Sequence, residues 1–208
     1  MNQSIQKTMG VALAAAALLS GLSACAPLVV GGAVMTGMVA VDRRTSGIQL
    51  EDEGIELRTA QGLRQSLGEN SHINVTSYNR QVLLTGEVAS AAQKELADKL
   101  TQSQENVKAV ANELTVQPVS SLTQRSKDTI ITGQIKALFV DAKDLQSNAF
   151  KVVTERGVVY LMGRVTSREA QRATDIARTV SGVTKVVRVL DIISEEELKR
   201  LSAQPAAK

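Results

Sequence analysis

The hydrophobic and polar positions fall into three regimes. Met9 to Leu19 is an uncharged run rich in Ala and Leu, and Ala26 to Val41 is a second uncharged stretch rich in Gly, Ala, Val and Met. From Asp42 onward, apolar positions recur at the helical period of 3.6 or alternate at the strand period of two. This third regime is written twice. Ile73 to Gly86 aligns with Phe150 to Gly163 at an offset of 77, and Gly86 to Ser90 continues onto Gly163 to Ser167. Val107 to Val110 aligns with Val183 to Val186 at an offset of 76, and Leu114 and Val116 match Leu190 and Ile192. A repeat of about 70 residues indicates two small domains. Pro118 to Gln124 is a Ser-rich joint between them.

Each copy predicts the same order of elements. A helix opens it, over Glu53 to Leu67 and Asp128 to Val140, with Asp128 able to cap the second. Strands follow near 73–78 and 81–86, then near 150–155 and 158–163. The tight polar turns Asn79-Arg80 and Arg156-Gly157 between them signal hairpins. Ser90 and Ser167 fit helix N-caps, the latter with Ala170 at the capping-box position. A second helix near 91–103 or 168–180 carries Leu96 and Leu100, or Ile176 and Val180, at helical spacing. An alternating strand, Val110 to Val116 or Val186 to Ile192, closes the unit. Gly86 and Gly163 are expected to end a strand and to serve backbone geometry. The expected fold class is α+β: two tandem αββαβ domains, each a three-stranded mixed sheet with one apolar face packed against two helices.

Composition narrows the chemistry. The 208 residues are 43% hydrophobic and 22% charged, but aromatic residues make up only 2%, with no Trp. The core must be aliphatic, and platforms for stacking nucleic acid bases are lacking. One Cys and one His are expected to rule out a disulfide framework, a zinc cluster and any Cys/His catalytic pair. His72 reads as a surface or capping histidine. No phosphate loop, nucleophile elbow or paired-carboxylate constellation is visible, so no enzyme, catalytic residue, metal site, cofactor or nucleic acid partner is expected.

The N-terminus is an address. Lys7, the apolar run from Met9 and the small residues Leu22-Ser23-Ala24 before Cys25 describe a secretory signal. The run falls short of the roughly 20 residues a spanning helix needs. The expected organisation is a signal peptide over 1–24, a lipidated Cys25 with a flexible apolar tether over 25–47, and domains over 48–117 and 126–194. A linker over 118–125 joins the domains. A tail over 195–208, opening with Glu195-Glu196-Glu197, reads as a solvated helix.

Charge then separates the copies. From Glu51 to Gln117 there are 6 Lys/Arg against 10 Asp/Glu, a net of −4; from Leu122 to Ser194 there are 12 against 7, a net of +5. Opposite charge on homologous units suggests different partners, and a basic domain tethered to a bilayer suggests anionic head groups. On the first helix of the second copy, Ile131, Ile135, Leu138 and Phe139 form a core-facing stripe. Ile130, Gly133, Ala137 and Val140 form another strip, flanked by Lys127 and Lys136. The first copy has Arg58, Gln61, Gln65 and Gly68 in its place, so the strip is expected only in the second copy. Such a strip needs a partner: acyl chains, the other domain or a protein.

Leu84-Thr-Gly-Glu-Val-Ala-Ser90, Leu161-Met-Gly-Arg-Val-Thr-Ser167 and Ser181-Gly-Val-Thr-Lys-Val186 resemble the BON domain. The first copy departs from that pattern at Asn106, where the second has Gly182. Leu22-Ser23-Ala24-Cys25 resembles the lipobox of bacterial lipoproteins, and Ala26 stands where Asp would resemble an inner-membrane retention signal. Two such domains behind a lipobox resemble a family of outer-membrane lipoproteins. The resemblance implies a non-enzymatic, lipid-anchored, periplasm-facing protein that supports envelope integrity and gathers at division sites. It also implies binding of anionic phospholipid, phosphatidylglycerol or cardiolipin, through the second domain, and carries a phospholipid-binding role onto Thr129, Ile130, Gly133, Gln134, Ala137 and Val140, which Lys136 adjoins. The alternative expectation is a periplasmic protein-interaction module, assisting outer-membrane protein assembly machinery or acting as a chaperone.

Overall fold

The computed structural model describes residues 42–68 and 70–203. The expected signal peptide, Cys25, the tether as far as Val41, and residues 204–208 lie outside the described residues. In the first copy, helix α1 (Ser46–Leu67) precedes the antiparallel strands β1 (His72–Tyr78) and β2 (Gln81–Val88). Helix α2 (Ala91–Gln102) returns the chain to a third strand parallel to β2, broken into β3 (Ala109–Asn112) and β4 (Thr115–Val116). The second copy repeats this with α3 (Leu122–Asp141), β5 (Phe150–Glu155), β6 (Val158–Thr166), α4 (Ser167–Thr179) and β7 (Lys185–Ile193). Each sheet is mixed, with β2 or β6 at its centre. A last helix, α5 (Glu195–Ala203), pairs Glu197 with Arg164 of β6, so the tail docks on the second domain.

Several boundaries shift for local reasons. The hydroxyl groups of Thr45 and Ser121 cap α1 and α3, accepting from the N–H of Ile48 and Gln124. The helices therefore start at Ser46 and Leu122 rather than at Glu53 and Asp128, and the linker shrinks to 118–121. Asp128 is buried inside α3 and caps nothing. Ser90 does cap α2, but Ser167 is already helical. Its predecessor Thr166 is the cap of α4, and Glu169 closes a full capping box by accepting from the Thr166 N–H at 2.9 Å.

Gly86 and Gly163 lie within strands, not at their ends. Their φ angles are 111° and 158°. An added Cβ would sit 2.0 Å from the His72 carbonyl oxygen in one copy and 2.3 Å from that of Ala149 in the other. Each is a place where the neighbouring backbone approaches too closely for a side chain. Asn106 reproduces the positive φ of Gly182, at 64° against 91°, because asparagine tolerates left-handed backbone.

A carboxylate from the first helix holds the hairpin turn in each copy. Asp52 accepts from the N–H groups of Asn79 and Arg80 at 2.8 and 2.7 Å, from the Ser77 hydroxyl at 2.7 Å and from Arg44 at 2.8 Å. Asp128 accepts from the N–H groups of Arg156 and Gly157, both at 2.9 Å. Both turns put φ > 0 at both central residues, the geometry of two-residue hairpins whose strands keep a right-handed twist. The helix thereby fixes where the hairpin ends.

Each domain has its own core on one face of its sheet. Ile55, Leu63, Val82, Leu84 and Ala97 pack in the first, and Ile131, Ile135, Phe139, Leu161 and Ala173 in the second. Leu138, expected with the α3 core stripe, is 38% exposed, because it lies at the rim of that stripe. Leu96 is exposed likewise, and Ala97 and Thr101 carry the buried face of α2. The expectation of one apolar face per sheet fails. Tyr78 and Leu83 of the first domain pack with Tyr160, Met162 and Val189 of the second, so the sheets stack back to back over a third core.

Asp128→Ala is expected to lower the unfolding free energy by about 2–4 kcal/mol in chemical denaturation, because one buried and one part-buried N–H group lose their acceptor. Burial alone would raise the Asp52 carboxyl, but hydrogen bonds from Ser77, the Arg80 N–H, Arg44 and the Asn79 N–H outweigh it and hold the group below the usual carboxylate range. A depressed acid stabilises the fold above its unfolded pKa of about 3.9 and ceases to do so as pH falls through the folded value. Acid titration should show stability falling below about pH 4, with a shallower fall in Asp52→Asn.

Candidate functional site

The back-to-back stacking decides which surfaces are free. Arg156 Nε donates to Glu87 Oε1 at 2.6 Å and its Nη2 to the Pro118 carbonyl at 2.7 Å. Asn79, at the equivalent turn position, donates to Asp191 of the second domain at 3.1 Å. Asn74 donates to Glu155 at 3.0 Å, and its repeat counterpart Lys151 donates to Glu56 and the Ser77 carbonyl at 2.7 and 3.1 Å. The contacts are reciprocal: equivalent positions reach across the same seam from opposite sides. Sheet backs and hairpin turns make this interface.

The outer face of α3 is therefore free of it. Thr129, Ile130, Gly133, Gln134, Lys136, Ala137 and Val140 are all exposed, Ile130 by 60% and Val140 by 70%. At 100° per residue they occupy one side of the helix, while Ile131, Ile135 and Phe139 face the core on the other. The first domain does not cover this strip, although Lys136 and Val140 border a cleft that Tyr78 also lines and Thr129 borders one that His72 and Asn74 line. Asp128, just over half a turn from Ile130, faces inward and holds the turn, so the grip that fixes the hairpin also fixes the rotation of α3.

The sequence reading missed Leu122. It belongs to the same face and is 79% exposed. Placing it in the linker hid it, although Ser121 followed by Gln124 at the capping-box spacing marks the earlier start. With Leu122, the strip runs along nearly all of α3, about 30 Å at 1.5 Å per residue. The first copy is not bare, as was expected: Leu50 and Leu57 of α1 are 70% and 72% exposed. Beyond Leu57 the face turns polar with Arg58, Gln61 and Gln65, so α1 presents only a short apolar stretch.

The N-terminal segment of the described chain is fastened. Arg43 makes a two-pronged pair with Glu169, at 2.7 and 2.9 Å, and donates to the Arg164 carbonyl at 2.9 Å. Burial alone would raise the Glu169 carboxyl, but Arg43 and the Thr166 N–H together hold it low. Arg44 bridges Asp42 and Asp52 and lies 4.3 Å from the centre of the Tyr78 ring. Asp42 and Arg44 line a cleft of about 450 Å³ together with Tyr78, Lys136, Val140 and Lys151. The chain thus enters the folded region beside the C-terminal end of the α3 strip. His72 sits at the domain seam, its Nδ1 3.3 Å from the buried Glu87.

Comparison with known proteins agrees with the repeat. The model of the BON domain matches residues 52–118 and 127–194. The chain is 38% identical over 192 residues to the outer membrane lipoprotein DolP of Haemophilus influenzae, covering 91% of this chain and 97% of that protein. It is 35% identical over 155 residues to a 21 kDa hemolysin of Actinobacillus pleuropneumoniae, covering 74% and 80%. It is also 36% identical over 121 residues to the osmotically-inducible protein Y of Escherichia coli K12, covering 57% and 60%. With both repeats matched and the αββαβ order present twice, this chain belongs to the BON-domain family.

Proposed function

We propose that the protein is an outer-membrane lipoprotein, anchored through Cys25 and facing the periplasm. It binds anionic phospholipid through the outer face of α3 and supports envelope integrity, gathering at division sites. The observation that carries this reading is the unpartnered strip from Leu122 to Val140 on the domain of net charge +5. Burying a large aliphatic side chain such as Ile130 in acyl chains contributes about 1.5–3 kcal/mol. A lysine held near an anionic surface adds about 1 kcal/mol. Lys127 and Lys136 are both exposed, so both contributions are available on one helix.

The entry point of the chain supports the same orientation. Asp42 borders the cleft that Lys136 and Val140 line, and the 16 residues between Cys25 and Asp42 are mostly apolar and small. A chain of that length spans at most about 60 Å even fully extended, so an acyl anchor at Cys25 would keep α3 near the bilayer. Among the described residues no helix is long and apolar enough to cross a membrane. The similarity to a protein named as an outer membrane lipoprotein over nearly its whole length supports the anchor and its location.

Flotation of residues 42–208 with vesicles of phosphatidylglycerol and cardiolipin tests the site. Binding should exceed that to zwitterionic vesicles and weaken with salt. Ile130→Glu and Leu122→Glu should each reduce it more than about tenfold, since each removes an inserted side chain and adds a repelled charge. Leu57→Glu on α1 should leave it unchanged. Equal flotation of wild type and Ile130→Glu would contradict the site. Absence of flotation together with photo-crosslinking from Ala137 to proteins in cells would favour a protein-interaction module.

A further inference from the structure

The chain's single histidine lies at the seam between the domains, beside two buried carboxylates. His72 opens β1, Glu87 lies near the end of β2, and Glu155 ends β5. One potential ligand atom from each lies within 4.8 Å of the others. Glu87 is fully buried and Glu155 is 7% exposed. The His72 side chain is half-buried. Two of these groups come from the first domain and one from the second.

Their neighbours hold them in place. Arg156 occupies Glu87 Oε1, leaving Oε2 directed toward His72 Nδ1 and the Ser120 hydroxyl, each at 3.3 Å. Asn74 donates to Glu155 Oε2. Ligands oriented by hydrogen bonds from a surrounding shell are the usual arrangement around bound metals. The charges around them leave a deficit of positive charge: Glu87, Glu155 and Asp128 face Arg156 and Arg125, one negative charge in excess while the imidazole is neutral. Burial, with the Glu87 charge adding to it, pushes the Glu155 carboxyl up. A cleft of about 370 Å³, lined by His72, Asn74, Arg125, Thr132 and Glu155, opens the cluster to solvent.

We propose that His72, Glu87 and Glu155 form a divalent-cation site, suited to Zn²⁺, that ties the first domain to the second. An imidazole nitrogen with two carboxylates is a donor set that zinc takes readily, with a position left for water. Zinc holds such atoms at about 2.0–2.2 Å, which requires them to draw together by about an ångström. Rotation of the half-buried His72 ring and the Glu155 side chain supplies that movement. Counting His and Cys along the sequence does not reveal the site, because the fold brings the carboxylates together from residues 87 and 155.

A single histidine makes the test direct. In the full chain carrying Cys25→Ser, which removes the one thiol, the His72 ring protons are followed by NMR during titration with ZnCl₂. The expected result is a saturable shift complete near one equivalent, accompanied by a rise in Tm. Glu155→Gln should weaken the affinity more than about tenfold. His72→Gln, a change at a half-buried position, should abolish the rise in Tm. No shift of His72 at millimolar Zn²⁺, an unchanged affinity in Glu155→Gln, or a rise in Tm that survives in His72→Gln would each overturn the proposal. No lipid enters the experiment, so its outcome is separate from that of the membrane reading.

Discussion

The rest of the structure depends on one interaction made twice: a buried aspartate on the first helix of each domain that accepts the N–H groups of a hairpin turn. Asp52 and Asp128 each satisfy two donors that the left-handed turn residues point inward. A charged acceptor makes such bonds stronger than neutral ones, and a buried N–H left unpaired is costly. The grip sets the distance between helix and hairpin and the rotation of the helix about its axis. It also places the turn side chains. Arg156 reaches Glu87 and Asn79 reaches Asp191, so the clamp inside each domain aims the residues that join it to the other.

Stacking follows from that placement. With the helices covering one face of each sheet, the opposite faces retain Tyr78, Leu83, Tyr160, Met162 and Val189, which cover one another across the seam. The two domains become one body, and the helices are left outermost. The two copies of the unit then differ in their exposed faces through small changes. Ile130, Ala137 and Val140 make α3 apolar where α1 has Arg58, Gln65 and Gly68, while Leu122 and its counterpart Leu50 are exposed in both copies. The opposite net charges of the two copies act in the same direction.

Much of this was legible in the sequence. The 77-residue offset, both hairpin turns, the three-stranded units and the α3 strip come from periodicity and turn chemistry, which are local signals. The exceptions have identifiable reasons. Asp128 looks like an N-cap in isolation, and its real partners lie 28 and 29 residues away. Leu122 was hidden by the same misplacement of the helix start. Thr166 and Ser167 are equally good caps by type, and only the position of Glu169 distinguishes them. The second apolar face of each sheet escapes because strand burial on both sides reads as an unbroken apolar run such as Val82-Leu83-Leu84, which does not name its partner. The meeting of His72, Glu87 and Glu155 has no local signature at all.

The central claim is that the stacked domains present α3, and not α1, to a lipid surface. Spin labels at Ala137→Cys and Gln65→Cys, introduced separately with Cys25→Ser, measure this directly by their relative collision rates with oxygen dissolved in the bilayer and with a water-soluble nickel chelate. On vesicles of phosphatidylglycerol and cardiolipin, the label at 137 should favour oxygen and the label at 65 should remain accessible to nickel. Equal nickel accessibility at both positions, or a deeper label at 65, would contradict the account.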